Sequence, residues 1–107
     1  IMSVDYLNVG QTDLTIEATW EEDLTGYTAK LCYYREEDGI ETEVEKTATV
    51  TPGAEESTTS YDFEAADDPF AEEGYHVFSF EITKDGRSRR CRPIRRYVYN
   101  EGEGWRL

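Results

Sequence analysis

His76 is the only histidine in the 107-residue chain, so any Ser-His-Asp or Cys-His arrangement would have to use it. It lies inside a run of β-forming residues, where we expect a partly exposed strand residue with no catalytic role. The 24 Asp and Glu residues make accidental carboxylate pairs unavoidable, so such pairs lend no support to glycosidase-like chemistry. The sequence therefore predicts a protein that is not an enzyme and carries no cofactor.

Cys32 and Cys91 are the only residues that could form a disulfide or supply thiolate ligands. They are 59 positions apart, with no CxxC spacing and no neighbouring histidine, which supports neither a zinc site nor a thioredoxin-like motif. The predicted strands place their Cα atoms about 10 Å apart, two inter-strand spacings, whereas a disulfide tolerates less than ~7 Å. We expect two free thiols.

Acidic loops raise the question of calcium, which prefers several oxygen ligands. The segments Glu21-Glu22-Asp23 and Asp67-Asp68 with Glu72-Glu73 could converge at one end of a β-sandwich. The EF-hand pattern is absent, and acidic loops are usually solvated. Calcium stays an alternative that we do not favour.

The charge of the chain is unevenly distributed. Residues 1–83 hold 21 acids and 3 bases, a net charge of −18, whereas residues 84–96 hold 7 bases and 1 acid, a net charge of +6; residues 97–107 add −1, for a total of −13. We call the arginines of the basic segment the arginine strip: Arg87, Arg89, Arg90, Arg92, Arg95 and Arg96.

The arginine strip has two interpretations. Charges and Pro93 on an edge strand protect it against strand-to-strand aggregation, and the arginines also neutralise an acidic body; this is the interpretation we favour. The second is a docking surface for an acidic protein partner, because Arg and Tyr are enriched at binding hot spots. Its residues would be Arg90, Arg92, Arg95, Tyr97 and Tyr99.

The overall acidity bears on the class of partner. A net charge of −13 repels phosphate backbones, so we expect no nucleic-acid partner. Carboxylates on regular strands could instead imitate a phosphate track and occupy a basic nucleic-acid-binding site. No stretch approaches the ~20 apolar residues of a membrane span, so we expect no membrane insertion.

Period-two alternation of apolar and polar residues dominates the chain and predicts an all-β fold. Turn residues such as Asp38-Gly39, Pro52-Gly53 and Asp85-Gly86 separate the runs, and Pro93 interrupts the last one. The seven predicted strands cover residues 4–9, 14–20, 27–34, 40–50, 57–64, 75–83 and 88–100.

Two details of these strands can be predicted. A four-residue turn at 36–39 would place Lys30 opposite Glu45, Cys32 opposite Glu43 and Tyr34 opposite Glu41. In the run 75–82, apolar residues occupy both parities, so either a bulge switches the face or both faces are covered.

The expected core residues are Ile16, Trp20, Tyr27, Leu31, Val44, Tyr61, Phe80 and Ile82.

The order of four segments resembles a fibronectin type III domain or a related immunoglobulin-like bacterial surface module. The segments are Leu14-Thr15-Ile16-Glu17-Ala18-Thr19-Trp20, Gly26-Tyr27, Gly74-Tyr75-His76-Val77 and Asp85-Gly86-Arg87-Ser88. The resemblance covers residues 4–99 and implies a seven-stranded antiparallel Greek-key β-sandwich. It transfers no functional residue, because the binding loops of the family vary between members.

The resemblance also implies a function and a location. We expect residues 1–100 to form an immunoglobulin-like β-sandwich domain and residues 101–107 a C-terminal tail or linker. The domain would be a non-catalytic spacer or protein-binding module of a larger extracellular or cell-surface protein. The alternative is a small acidic inhibitor or nucleic-acid mimic that acts as a whole protein.

Overall fold

The alternating segments fold into β-strands, eight of which lie in the part of the chain that the structure describes. A computed structural model describes residues 7–8, 14–36, 43–64 and 74–99. The strands are β1 (Leu7–Asn8), β2 (Thr15–Trp20), β3 (Thr28–Arg35), β4 (Val44–Thr51), β5 (Ser57–Asp62), β6 (Gly74–Lys84), β7 (Arg87–Arg90) and β8 (Ile94–Tyr99). In these ranges no helix is long and apolar enough to cross a membrane. The all-β prediction is confirmed, while the proposed tail at 101–107 lies outside the described residues.

Hydrogen bonding joins the strands into one continuous sheet. Its order is β1-β8-β6-β3-β4-β5-β2, and β7 pairs with β6 beside β8. Every pairing is antiparallel except that of β1 with β8. β4 pairs with β3 through residues 44–48 and with β5 through residues 49–51, so the sheet curls into a half-barrel at this strand.

A two-residue turn joins β6 to β7. Asp85 and Gly86 both have positive φ angles, 52° and 77°. Two successive positive φ angles define a type I′ turn, whose twist matches that of the flanking strands, and Asp-Gly is among its preferred sequences. The predicted hairpin turn is therefore confirmed at this position.

A β-bulge separates β7 from β8. It divides the predicted strand at 88–100 in two, so the described residues form eight strands where seven were predicted. Here two residues of β6, Ser79 and Phe80, face the three residues 91–93. Pro93 has no N–H, so it needs no acceptor in β6. The Phe80 N–H donates to the Cys91 Sγ at 3.2 Å. The Cys91 N–H in turn donates to the Phe80 carbonyl at 3.0 Å. The bulge shifts the register by one residue between the two halves of the last strand.

The concave side of the curled sheet holds the core. Its main cluster comprises Leu14, Ile16, Ala18, Leu31, Tyr33, Phe63, Phe78, Phe80 and Val98. A second cluster comprises Leu24, Ala29 and Ile82. Edge-to-face ring contacts, such as Tyr33 with Phe63 at a centroid distance of 5.4 Å, fix the larger side chains.

Four of the eight expected core residues are fully buried, as predicted: Ile16, Leu31, Phe80 and Ile82. Trp20, Tyr27 and Tyr61 are partly buried at the margin of the clusters. The expectation for Val44 is wrong, because its side chain is 39% exposed. Val44 begins β4, and β5 joins β4 only from residue 49 onward, so the curl does not reach it.

Residues 76–80 of β6 are buried in an unbroken row. The pairing of β6 with β3 has no register break, so both faces of this strand are covered and no bulge switches its face. His76 has the parity of Phe78 and is only 2% exposed. The expectation that this histidine is partly exposed is wrong, since its face of the strand packs inward.

The register of β3 with β4 differs from the expected one by two residues. Cys32 faces Glu45, and Lys30 faces Thr47. The four-residue turn at 36–39 is too short, because eight residues separate Arg35 from Val44. A two-residue shift leaves every side chain on its predicted face. The third expected partner, Glu41, lies outside the described residues.

Ile16 and Val44 provide a matched test of the core assignment. We expect Ile16→Ala to lower the free energy of unfolding by about 2–5 kcal/mol, because Ile16 is 1% exposed. Val44→Ala should lower it by less than about 0.5 kcal/mol, the usual range for an exposed position. Urea denaturation of both variants measures the two values, and a large loss for Val44→Ala would contradict the exposed position of β4.

Candidate protein-binding site

The arginine strip lies along β7, the bulge and β8, and some of its side chains lie on the convex side of the sheet. We call this convex side of β4, β3, β6 and β7/β8 the outer face. Glu81 faces Arg90 across β6 and β7, and Val77 faces Arg95 across β6 and β8. Glu81 and Val77 share a parity, so the bulge brings Arg90 and Arg95 to the same face although they are five positions apart.

Arg90 connects three strands on the outer face. Its Nη1 and Nη2 donate to the two carboxylate oxygens of Glu43 at 2.9 and 2.7 Å. Its Nε donates to Glu81 at 3.3 Å. Glu43 directly precedes β4, which lies three inter-strand spacings from β7, so the Arg90 side chain reaches across the sheet. Hydrogen bonding to Arg90 lowers the pKa of Glu43 and raises that of the arginine.

Lys30 of β3 completes the ion-pair network, which we define as Lys30, Glu43, Glu45, Glu81 and Arg90. The Lys30 Nζ lies 3.1 Å from Glu45 and 3.3 Å from Glu81. Hydrogen bonding to Glu45, then to Glu81, raises the pKa of Lys30. Desolvation acts to raise the pKa of Glu81, but its hydrogen bonds with Lys30 and Arg90 outweigh this and lower it.

Cys32 lies beneath the ion-pair network and is 1% exposed. Desolvation raises the pKa of its thiol. Its Sγ and carboxylate oxygens of Glu43 and Glu45 lie within 4.8 Å of one another, the spacing of a possible metal-ligand group. Arg90 and Lys30 already bind these two carboxylates, so a cation would have to displace both.

The two cysteines are free, as predicted. Cys32 faces Ser79 on the outer face, whereas Cys91 packs against the core on the side of Phe80. Their side chains therefore lie on opposite faces of the sheet, which is a stronger barrier to a disulfide than the expected distance alone.

Arg95 forms the second group on the outer face. It pairs with Glu36, which follows β3, and its guanidinium lies 3.6 Å from the centroid of the Tyr75 ring. The Tyr75 ring meets the Tyr97 ring edge-to-face at 4.9 Å. Hydrogen bonding to Glu36 raises the pKa of Arg95. The contacts hold Arg95 and Tyr97 in a fixed arrangement around Tyr75, whose side chain is 41% exposed.

The five predicted binding residues lie along the last two strands and the bulge between them, in different surroundings. Arg90 belongs to the ion-pair network, while Arg95 and Tyr97 surround Tyr75. Arg92 is exposed in the bulge and makes no ion pair within the described part of the chain. Tyr99 ends β8 and pairs with Asn8 of β1, and its side chain lies outside what the structure describes.

Arg89 secures the loop that follows β2. Its two terminal nitrogens donate to the Glu22 carboxylate at 2.9 and 2.6 Å, which lowers the pKa of Glu22. Asp23 accepts hydrogen bonds from the Thr25 hydroxyl and N–H, which lower its pKa. Two of the three carboxylates proposed for calcium in this loop thus have internal partners. The acids of the other loop lie outside the described residues.

Sequence reasoning missed the acidic partners of the strip: Glu22, Glu36, Glu43 and Glu81. Glu22, Glu36 and Glu43 are distant in sequence from their arginines, so no local spacing identifies them. Glu81 could have been identified, because the two-residue turn at Asp85-Gly86 places it opposite Arg90. The parity of Tyr75 and Val77, opposite to that of Phe78 and Phe80, left a bulge and coverage of both faces as alternatives, and the burial of Val77 identifies the second.

Comparison with family models, with curated proteins and with solved structures found no match for this chain.

Replacement of Arg90 tests the ion-pair network. We expect Arg90→Gln to lower the free energy of unfolding by up to about 1 kcal/mol near pH 7, since partly exposed pairs contribute little more. The pKa of Glu43 in the folded state lies below its ordinary value of 4.5, so the contribution is present above pH 4.5 and is lost as the pH falls through the folded-state pKa. Urea denaturation between pH 7 and pH 3 should show the two proteins converging, while the control Arg92→Gln stays close to the parent throughout.

The thiols provide an independent test. The intact mass without reductant should equal that of the fully reduced chain, and a monomer two daltons lighter would contradict the strand order. Iodoacetamide should modify Cys91 before Cys32, because Cys32 is fully buried and desolvation raises its pKa, whereas Cys91 is half-buried. Peptide mapping of the alkylated chain identifies the order.

Proposed function

We propose that the chain is a non-catalytic, immunoglobulin-like module of the fibronectin type III kind, which acts as a spacer or protein-binding domain in a larger extracellular or cell-surface protein. Strand pairing supports the β-sandwich: β2 pairs with β5, whereas β3 pairs with β6. A Greek-key sandwich pairs its second strand with its fifth and its third with its sixth in the same way, which supports the proposal.

The observation that carries this proposal is the internal use of the charges. A nucleic-acid mimic needs a track of uncompensated carboxylates. On the outer face, Glu43 is bound by Arg90 and Glu45 by Lys30, so the acidic residues at the start of β4 do not present such a track. Arg89 and Arg95 likewise bind Glu22 and Glu36. Carboxylates of the chain itself thus bind these cations, which favours the module over the mimic.

The burial of His76 supports a non-catalytic role. A general base must reach the proton it removes, and His76 is 2% exposed on the core side of β6. A substrate at the surface would have no access to its imidazole.

An affinity experiment distinguishes the module from the mimic. The immobilised chain is exposed to the extracellular fraction of its source cells, and bound proteins are eluted first with duplex DNA and then with high salt. The module predicts that captured proteins resist DNA and elute later. Release of the main captured proteins by DNA would favour the mimic.

The triple variant Arg90→Gln, Arg92→Gln, Arg95→Gln tests the role of the strip in the same experiment. We expect it to capture the same proteins as the parent, because Arg90 and Arg95 already have internal partners. Its melting temperature should change little, since exposed ion pairs are usually weak. Loss of capture with an unchanged melting temperature would instead identify the strip as the docking surface.

A further inference from the structure

The outward edge of β7 pairs with no other strand in the described part of the chain. β7 pairs with β6 alone, and β1 covers the last strand only at Val98 and Tyr99. Because the Cys91 N–H donates to the Phe80 carbonyl, Arg90 and Glu81 form a non-hydrogen-bonded pair of the ladder. The backbone N–H and C=O groups of Arg90 consequently point away from β6. The same holds for Ser88, two residues earlier in β7.

A surface depression of about 770 Å³ adjoins this edge. It is lined by Tyr27, Lys84, Asp85, Arg87, Ser88 and Arg89. The lining holds three cations and one carboxylate, in a chain with a net charge of −13. Tyr27 forms an aromatic wall, with the Lys84 Nζ 5.4 Å and the Arg89 Cζ 5.9 Å from its ring centroid.

The three cations in this depression differ in how many carboxylate partners they have within the described part of the chain. Arg89 is bound at both terminal nitrogens by Glu22. Lys84 donates a 3.4 Å hydrogen bond to the Thr25 carbonyl and lies over the Tyr27 ring, and neither Lys84 nor Arg87 makes an ion pair with a described residue. Lys84 and Arg87 face each other across the hairpin and share the side of β7 that faces Tyr27. Two cations beside an unpaired strand edge are therefore open to a carboxylate ligand.

We propose that the edge of β7 binds an extended acidic peptide segment of a partner protein by strand addition. The inference rests on the proposed function, and it specifies how a protein-binding module would engage its partner. The peptide pairs with the outward backbone groups of Ser88 and Arg90, while its acidic side chains lie against Lys84 and Arg87. Main-chain hydrogen bonds supply part of the affinity, and the cationic depression supplies the choice of sequence.

The charges that protect the edge also select its ligand. A second copy of β7 would place arginines against arginines, and a neutral strand would leave Lys84 and Arg87 without compensation. An acidic strand gains ion pairs with Lys84 and Arg87, whereas a neutral strand gains none and a second copy of β7 is repelled. Specificity of this kind rests on repulsion of the wrong partners as much as on attraction of the right one.

A peptide titration tests the proposal. The probe is a fluorescein-labelled eight-residue peptide in which Glu and Val alternate, and binding to the full chain is followed by fluorescence anisotropy. We expect saturable binding that weakens by about tenfold or more between low and physiological salt, since screening shortens the reach of the charges. The same peptide with Gln in place of Glu should not bind. Two further peptides carry backbone N-methyl groups, one on the odd-numbered and one on the even-numbered residues. At least one of them should not bind, because the N–H groups of successive residues point to opposite edges of a strand.

Two variants locate the site. Arg87→Glu should weaken peptide binding by about tenfold or more, and Arg92→Glu, the same change of charge at an exposed arginine outside the depression, should weaken it by about threefold at most. If Arg87→Glu alters the melting temperature, the peptide affinity of Lys84→Gln is measured in its place, and it should also be lower than that of the parent. The proposal is overturned if the peptide fails to bind, if the Gln peptide or both methylated peptides bind equally well, or if the two arginine variants behave alike. None of these results affects the DNA-elution experiment, so failure of the peptide and failure of the proposed module remain distinguishable.

Discussion

The topology of the sheet brings several of the few cations of the chain into contact with carboxylates that are far away in sequence. The first 83 residues carry a net charge of −18, and most of the compensating charge lies in the next 13 residues. Because this basic segment forms β7, the bulge and β8, each arginine bond also joins the last strand to another element: Arg89 to the loop after β2, Arg90 to the start of β4, and Arg95 to the end of β3. A single surface pair of this kind is weak, but the pairs connect segments that share no backbone hydrogen bonds.

The bulge at 91–93 makes this arrangement geometrically possible. In an uninterrupted strand, residues five positions apart point to opposite faces, so Arg90 and Arg95 could not both lie on the outer face. The additional residue in the bulge corrects the parity and sends both arginines outward. Pro93 removes one backbone donor at this place, and the Cys91 Sγ accepts the hydrogen bond of the Phe80 N–H. An apparent interruption of the strand thus aligns its two halves.

Much of the local structure can be predicted from the sequence, because it depends on local chemistry. Alternation identifies β2 and β3, a continuous run of β-forming residues identifies β6, and the Asp85-Gly86 pair identifies the turn that follows it. The expectations failed where the fold depends on residues distant in sequence. The loop between β3 and β4 has no local rule that fixes its length, so the register shifted by two. Val44 has the right type and parity for the core, but the curl of the sheet leaves it exposed, and His76 is buried because its strand is covered on both sides.

The candidate site shows the same division. The sequence identified Arg90, Arg95 and Tyr97 as residues of interest, but it could not reveal that carboxylates already bind the two arginines. Opposite charges attract from any sequence separation, so their pairing is decided by topology. Tyr75 was visible as an apolar residue of the wrong parity, and only the placement of β8 beside β6 explains its contacts with Arg95 and Tyr97.

The uneven order of charge along the chain has a consequence for synthesis. A ribosome produces the acidic segment first, and that segment holds 21 of the 24 acids but only three bases. The partners of Glu22, Glu36 and Glu43 do not exist until residues 89–95 have left the exit tunnel. Self-repulsion therefore keeps the nascent chain expanded while its β-forming segments are unpaired, which delays collapse and discourages premature association between neighbouring nascent chains. Emergence of the basic segment then supplies both the last strand and the counter-charges, so closure of the sheet has to wait until this segment has been synthesised.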